Sequence, residues 1–182
     1  MSAVQTLSPS LTLRWMIQRD LPYLLQIEQQ NYALRWSQQD FLGVFQSIDT
    51  AGCVAEVGDR VVGYLIYSVP SNQEDEFNTE EPASVRQRWR QKRKPTTLQP
   101  LRIILRNVAV ANEWQRQGVG KALLERFERK LRHPEDRIQA IVPESNLPMQ
   151  LLLREAGYKA VRVLRNHFGI EDGYLMERQR DQ

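Results

Sequence analysis

Cysteine is almost absent from this chain. Cys53 stands alone among 182 residues, so no internal disulfide can form and the fold must hold by its core. Histidine is nearly as scarce: His133 and His167, with one cysteine, give no metal-ligand spacing, and no metal site is expected. No apolar run approaches the roughly 20 residues that span a bilayer. The Ser/Thr-rich start has no basic residue before Arg14 and no apolar signal core. A cytoplasmic protein with no membrane contact is the expectation. Charge of one sign is lacking too: 25 Lys and Arg against 22 Asp and Glu leave a net +3, a weak argument for a nucleic-acid surface. No internal repeat is visible. What remains is length enough for one well-cored domain over 1–182, interrupted by an insertion at about 70–100.

Periodicity outlines the elements. Leu11, Leu13, Trp15 and Ile17 alternate as in a strand. Asp20 is placed to cap a helix with Pro22 in its first turn and Leu21, Leu24, Leu25 and Ile27 inward. Ser37 with Asp40 reads as the N-cap of a second helix burying Phe41, Leu42 and Phe45. Residues 53–57 and 60–69 flank Gly58 and Asp59, a two-residue hairpin signal. Strands follow over 101–110 and 138–142. Asn146 can cap a helix that carries Pro148 and ends at Gly157, and 162–168 with 174–178 form a closing hairpin. This order, β-α-α-β-β-β-α-β-α-β-β, predicts an α/β fold: a mixed sheet of about seven strands with helices on both faces.

The insertion breaks the pattern. It runs acidic (Glu74, Asp75, Glu76, Glu80, Glu81), then basic over 86–94 (Arg86, Arg88, Arg90, Lys92, Arg93, Lys94), with Pro82, Pro95 and Pro100. Two readings stay open: a solvated insertion, or an arm that docks an acidic surface or RNA phosphates through its basic half. Nucleic acid is not expected elsewhere.

The stretch that carries chemistry is 108–124. Val108, Ala109 and Val110 end a buried strand, and a polar turn leads into a helix with Val119, Leu123, Phe127 and Leu131 on one face. Glu125 with Arg129 and Glu128 with Arg132 are spaced as surface pairs. A strand, a glycine-bearing loop and a helix start point unpaired amides and the positive end of the helix dipole at one spot, which suits a phosphate. It is not a Walker loop: Gln115 stands where the first glycine belongs and Ala122 replaces Ser/Thr. Nor is it a dinucleotide fingerprint, since Leu123 stands where a third glycine belongs.

What is left, Gln115, Arg116, Gln117, Gly118, Val119 and Gly120, then Lys121 and Ala122, after a Val-x-Val strand, resembles the acetyl-coenzyme A loop of the GNAT N-acetyltransferases. The element order is theirs too, so the resemblance covers nearly the whole chain. Ile27, Glu28 and Gln29 followed by Trp36 and Ser37, then Glu144, Ser145 and Asn146 with Gly157 and Tyr158, resemble the RimI-type branch, which acetylates the N-terminal amine of a ribosomal protein. So do Arg165, Asn166, His167 and Phe168 with Asp172 and Gly173.

The resemblance implies acetyl-CoA as cosubstrate and a protein N-terminus, possible in a ribosomal protein, as acceptor. It implies that residues 115–122 grip the diphosphate and that the backbone of Val108–Val110 splays from its neighbour and pairs with the pantetheine arm. On the same pattern the Val110 N–H polarises the thioester oxygen, and Asn146 hydrogen-bonds the arm besides capping its helix.

The chain departs from that pattern at two places. Where RimI-type enzymes carry a Glu base on the strand after the cofactor helix, this chain has Ile141; where they carry a Tyr acid, it has Leu153. Neither can transfer a proton. Glu144, three residues on, and His167, in the closing hairpin, are the candidate catalytic replacements, imidazole being suited to proton exchange near neutral pH. Tyr32 and Glu28, near the first helix–helix turn, read as structural, and Tyr158 and Tyr174 as core or rim aromatics. His133 reads as surface. Two alternatives to N-terminal acetylation stay open: acetylation of a small amine, and a coenzyme-A-binding docking module without turnover.

Overall fold

The computed structural model describes residues 10–32, 35–70, 101–129 and 136–179. The elements are β1 (Leu11–Trp15), α1 (Leu21–Asn31), α2 (Gln38–Gln46), β2 (Thr50–Val57), β3 (Arg60–Ser68), β4 (Arg102–Val110), α3 (Val119–Glu128), β5 (Arg137–Pro143), α4 (Leu147–Glu155), β6 (Lys159–Leu164) and β7 (Gly173–Gln179). This is the order read from the sequence, with short 3-10 turns at Gln18–Asp20 and Asn112–Trp114. The strands make one seven-stranded sheet, β1-β2-β3-β4-β5-β7-β6. Every neighbouring pair is antiparallel except β4 and β5, which run parallel because α3 carries the chain back between them.

Each face of the sheet has its own core. Val119, Leu123, Leu124 and Phe127 of α3 and Leu153 of α4 pack on Ile103, Leu105, Val108, Ile138, Ala140 and Val142. On the other face, Leu24 and Ile27 of α1 and Phe41 and Val44 of α2 pack on Val54, Tyr64, Ile66 and Ala109. Covered on both sides, β3 is buried along nearly its whole length, which is why it reads as an unbroken apolar run. The β2–β3 hairpin closes where the sequence marks it, Val57 opposite Arg60, with Gly58 at φ +60.

The local caps hold in part. Ser37 and Asp40 form the expected capping box, Asn146 accepts the Met149 N–H at 3.2 Å, and Gly157 takes φ +88 just past α4. Asp20 precedes α1 but makes no side-chain cap to it. Its carboxylate accepts the Ile17 N–H at 2.9 Å and both terminal nitrogens of Arg14 at 2.8 Å, so a tertiary ion pair outcompetes the local cap. The first strand of the closing hairpin is displaced from its expected 162–168, since β6 begins at Lys159. Strand β6 stops at Leu164, because Asp172 accepts the Asn166 N–H at 2.8 Å and folds 165–172 into a turn with Asn166 at φ +54. On α3, Glu125 pairs with Lys121 at 3.9 Å, and Glu128 reaches Arg178 of β7. Expectations for 71–100, Leu131, Arg132 and His133 lie outside the described residues.

Candidate active site

The site begins where two parallel strands stop pairing. β4 and β5 are matched from Arg102 opposite Arg137 to Leu105 opposite Ala140, and no further. At that point β4 carries a bulge: Ile66 faces Asn107 and Tyr67 faces Leu105, leaving Arg106 as the extra residue. A bulge bends its strand, so the last residues of β4 leave β5 and a gap opens between them. The Ala111 N–H donates to Val62 O at 2.9 Å, which makes that an exchanging pair. Alternation along the strand then turns the amides of Ala109 and Asn107 toward β3 and those of Val108 and Val110 into the gap. Their N–H groups have no strand partner. The splay implied by the resemblance is therefore present in the register.

The carbonyls of the same two residues are occupied. The Tyr32 hydroxyl donates to Val108 O at 2.5 Å, and Val110 O accepts from Asn31 Nδ2 at 3.0 Å and Gln115 Nε2 at 3.1 Å. Gln115 Nε2 also lies 3.0 Å from Asn31 Oδ1, and the Asn112 N–H donates to Gln30 Oε1 at 3.0 Å. The end of α1 is thus laced to the open edge of β4 and to the loop after it. Carbonyls satisfied and amides free, this edge offers hydrogen-bond donors, which suits a carbonyl-bearing arm laid along it.

Beyond the edge, the loop turns sharply. Arg116 sits at φ +60 and Gly118 at φ +84, and α3 starts without any side-chain cap or acidic residue in its first turn. Its first intrahelical bond runs from the Ala122 N–H to Gly118 O at 2.9 Å, so the amides of Val119, Gly120 and Lys121 have no helical acceptor. Arg116, Gln117 and Lys121 are exposed around them. An anion is what such a donor set lacks.

The two glycines differ. A Cβ on Gly118 would meet nothing within 4 Å, whereas one on Gly120 would lie 3.1 Å from Leu152 Cδ2. Gly118 serves the turn and the open space; Gly120 serves the approach of α3 to α4. Gln115 shapes the loop from within: its N–H is bonded to Asn112 O at 3.3 Å and its side chain reaches Val110 O and Asn112 Oδ1, both at 3.1 Å.

One wall of the gap is held by a buried carboxylate. Glu28 is 1% exposed and accepts the Trp36 N–H at 2.8 Å, Asn107 Nδ2 at 3.2 Å, and the Tyr64 hydroxyl. It therefore ties α1, the α1–α2 connection, β3 and β4 together. Burial, then the charge of Glu28, pushes the Tyr32 and Tyr64 phenols well up, and both stay protonated.

The other wall comes from the closing hairpin. A Cβ on Gly173 would lie 2.8 Å from Ile141 Cγ2, 3.2 Å from His167 Cβ and 3.2 Å from Phe168 Cε2. His167 thus stands beside Ile141 over Gly173, with its exposed ring edge-on to Phe168 at 4.9 Å. The 165–172 turn is pinned by Arg165 on Asp172 at 2.6 Å and by the Ser145 N–H on Glu171 at 2.5 Å. Glu144 uses its backbone in the same junction, donating to Asp172 O at 3.0 Å, and its side chain is exposed. Leu153 is completely enclosed in the α3-side core.

One group escaped the sequence reading. Asn31 at a helix end carries no pattern that announces a contact with Val110. Glu28, read as structural, is so: it falls on the buried stripe of α1 with Leu24 and Ile27, where an unpaired charge would be costly, and its carboxylate is bonded to Trp36, Tyr64 and Asn107. Among the described residues, no group of three or more His, Cys, Asp or Glu stands together to hold a metal ion, and no helix is long and apolar enough to cross a membrane.

Comparisons with known proteins agree with this geometry. The N-alpha-acetyltransferase of Sulfurisphaera tokodaii is 28% identical over 139 residues, which cover 75% of this chain and 73% of that protein. In fold, the ribosomal-protein-S18-alanine N-acetyltransferase from Escherichia coli superposes with TM-score 0.71 at 22% identity, over 95% of this chain and 96% of that one. Arabidopsis thaliana NAA60 in complex with a bisubstrate analogue gives 0.73 at 17% identity, over 93% and 98%. The sequence profile described as the Acetyltransferase (GNAT) family matches residues 12–158. The chain belongs to that family.

Proposed function

We propose that this protein transfers an acetyl group from acetyl-CoA to the N-terminal amine of a protein or peptide. The observation that carries the reading is the register: β4 and β5 part after Leu105 and leave the Val108 and Val110 N–H groups facing a gap that opens toward the bare first turn of α3. The residues present fit the cosubstrate. The first-turn amides, with Gly118 leaving space and Arg116 and Lys121 adding charge, would hold the diphosphate. The edge of Val108, Ala109 and Val110 would pair with the pantetheine, with the Val110 N–H as oxyanion donor. Asn146 spends its Oδ1 on the Met149 N–H, which leaves its amide nitrogen for the same arm.

The attacking amine must lose a proton. His167 is the group we assign to accept it, directly or through one water, because it stands beside Ile141 where the RimI-type pattern has its Glu. Glu144 is the second candidate; its exposed side chain lies at the same junction. The Glu28 carboxylate is already bonded on several sides, so it is not available to pair with a small polyamine, which favours a polypeptide end. The protein whose N-terminus is used can be a ribosomal one, as for the Escherichia coli neighbour. A cytoplasmic setting suits a chain whose lone cysteine is buried and outside any disulfide.

The test is release of free coenzyme A with a panel of peptides, each offered with a free and a blocked α-amine. Turnover that needs the free α-amine supports the reading. Turnover on polyamines alone would replace it, and tight binding of acetyl-CoA without turnover on any amine would make the protein a docking module.

A further inference from the structure

We propose that Tyr32, on the connection after α1, delivers the proton taken up by the departing coenzyme A sulfur. The inference rests on the acetyltransferase reading above and adds the acid that reading lacks.

Three observations carry it. Leu153, at the position where the RimI-type pattern has a tyrosine, is completely enclosed and has no proton to give. The Tyr32 hydroxyl sits at 2.5 Å on Val108 O, and Val108 is one of the two residues whose amides face the gap. The backbone that carries it is fixed from both sides, by its own N–H on Glu28 O at 3.2 Å and by Arg35 Nε on its carbonyl at 3.0 Å. The other described phenols are placed elsewhere: Tyr23 is exposed on the first turn of α1 and Tyr67 is buried in the α3-side core. Tyr64 is spent on Glu28, while Tyr158 and Tyr174 belong to the α3-side core.

The hydroxyl is also gated. While the edge is bare, Val108 O holds the Tyr32 proton. An amide N–H of the pantetheine arm laid along the edge competes for that carbonyl and frees the hydroxyl to turn into the gap. Burial and the nearby charge of Glu28 keep the phenol protonated until an acceptor stronger than a carbonyl appears.

The step balances. The amine lone pair forms the C–N bond, and the N–H proton passes to His167. As the C–S bond breaks, its electron pair goes to sulfur, and the sulfur takes the Tyr32 proton. The tyrosinate recovers a proton from the imidazolium through water, so amine and thioester become amide and thiol with no other reactant.

Tyr32→Phe keeps the ring and removes the hydroxyl. With acetyl-CoA and a peptide substrate, kcat is expected to fall by roughly a hundredfold. The acetyl-CoA Kd, by calorimetry, and the peptide KM should stay within about twofold. A second variant, Tyr32→difluorotyrosine, keeps the shape and lowers the phenol pKa. It should move the alkaline limb of the kcat–pH profile down, which a purely structural hydroxyl would not do. If the wild type turns over while Tyr32→Phe keeps its kcat, or loses affinity and kcat together with an unmoved alkaline limb in the fluorinated variant, Tyr32 is not the acid. If the wild type turns over no amine at all, the acetyltransferase reading falls first, and this inference with it.

Discussion

Replacing Gly118 and Gly120 one at a time by alanine separates the two jobs a glycine can have in this loop. At Gly118 the backbone has φ +84 and an added Cβ meets nothing within 4 Å. The folded protein therefore feels only the cost of a left-handed L-residue, about 1 kcal/mol. That corresponds to roughly 2–4 °C of Tm for a domain of this size. The same methyl projects beside the first-turn amides, where a diphosphate must come close, so acetyl-CoA affinity should fall by at least about tenfold, or ~1.4 kcal/mol.

At Gly120 the situation is reversed. Its backbone is helical, and the added Cβ would lie 3.1 Å from Leu152 Cδ2, the far end of a half-buried and flexible side chain. The helix gains up to about 0.8–1 kcal/mol in propensity, and moving Leu152 by a few tenths of an ångström offsets part of that. Gly120→Ala should be near neutral in Tm and bind acetyl-CoA within about threefold of the parent. Asparagine tolerates the left-handed region, so Gly118→Asn should regain stability and still bind poorly. Calorimetric titration with acetyl-CoA beside thermal unfolding reads both quantities. Gly118→Ala with full affinity would refute the amide grip on the diphosphate, whatever its Tm.

Four further expectations rest on the same contacts. Glu28→Gln turns an amide donor toward groups that are themselves donors, so it should cost about 3 kcal/mol, seen as a lower urea midpoint. Burial opposes the charge of Asp20, yet the Arg14 and Ile17 hydrogen bonds hold its carboxyl below the usual range. Its contribution is therefore present above about pH 4 and lost as the pH falls below that; the wild type should lose more stability than Asp20→Asn between pH 6 and pH 3. His167→Ala should lower kcat by about a hundredfold with acetyl-CoA affinity unchanged, while Glu144→Ala stays near the parent; the opposite ranking would move the base to Glu144. Finally, Ser68 lies opposite Ile104, so a short turn can replace 72–98. Shortening that connection saves up to about 2 kcal/mol of closure entropy, and a collapse in Tm on deletion would show instead that the segment belongs to the core.

Element order, the β2–β3 hairpin, the caps at Ser37 and Asn146 and the glycine loop were legible because each depends on neighbours in sequence: a backbone angle, a short hydrogen bond, a repeat of apolar residues. Where a distant partner wins, local reasoning misses. Asp20 leaves its helix for Arg14, the first strand of the closing hairpin ends early because Asp172 captures the Asn166 amide, and the side chain of Gln115 reaches Asn31 and the β4 edge as well as its own loop. The chemistry divides the same way. Its own residues announce a donor-rich strand–loop–helix junction and the loss of two proton-transferring positions at Ile141 and Leu153. Which side chains stand in their place is set by how β7 carries the 165–172 turn back over Ile141, and how α1 lays Asn31 and Tyr32 on the open edge of β4. Those contacts join residues tens of positions apart through packing on a shared sheet, and no periodicity in one segment encodes them.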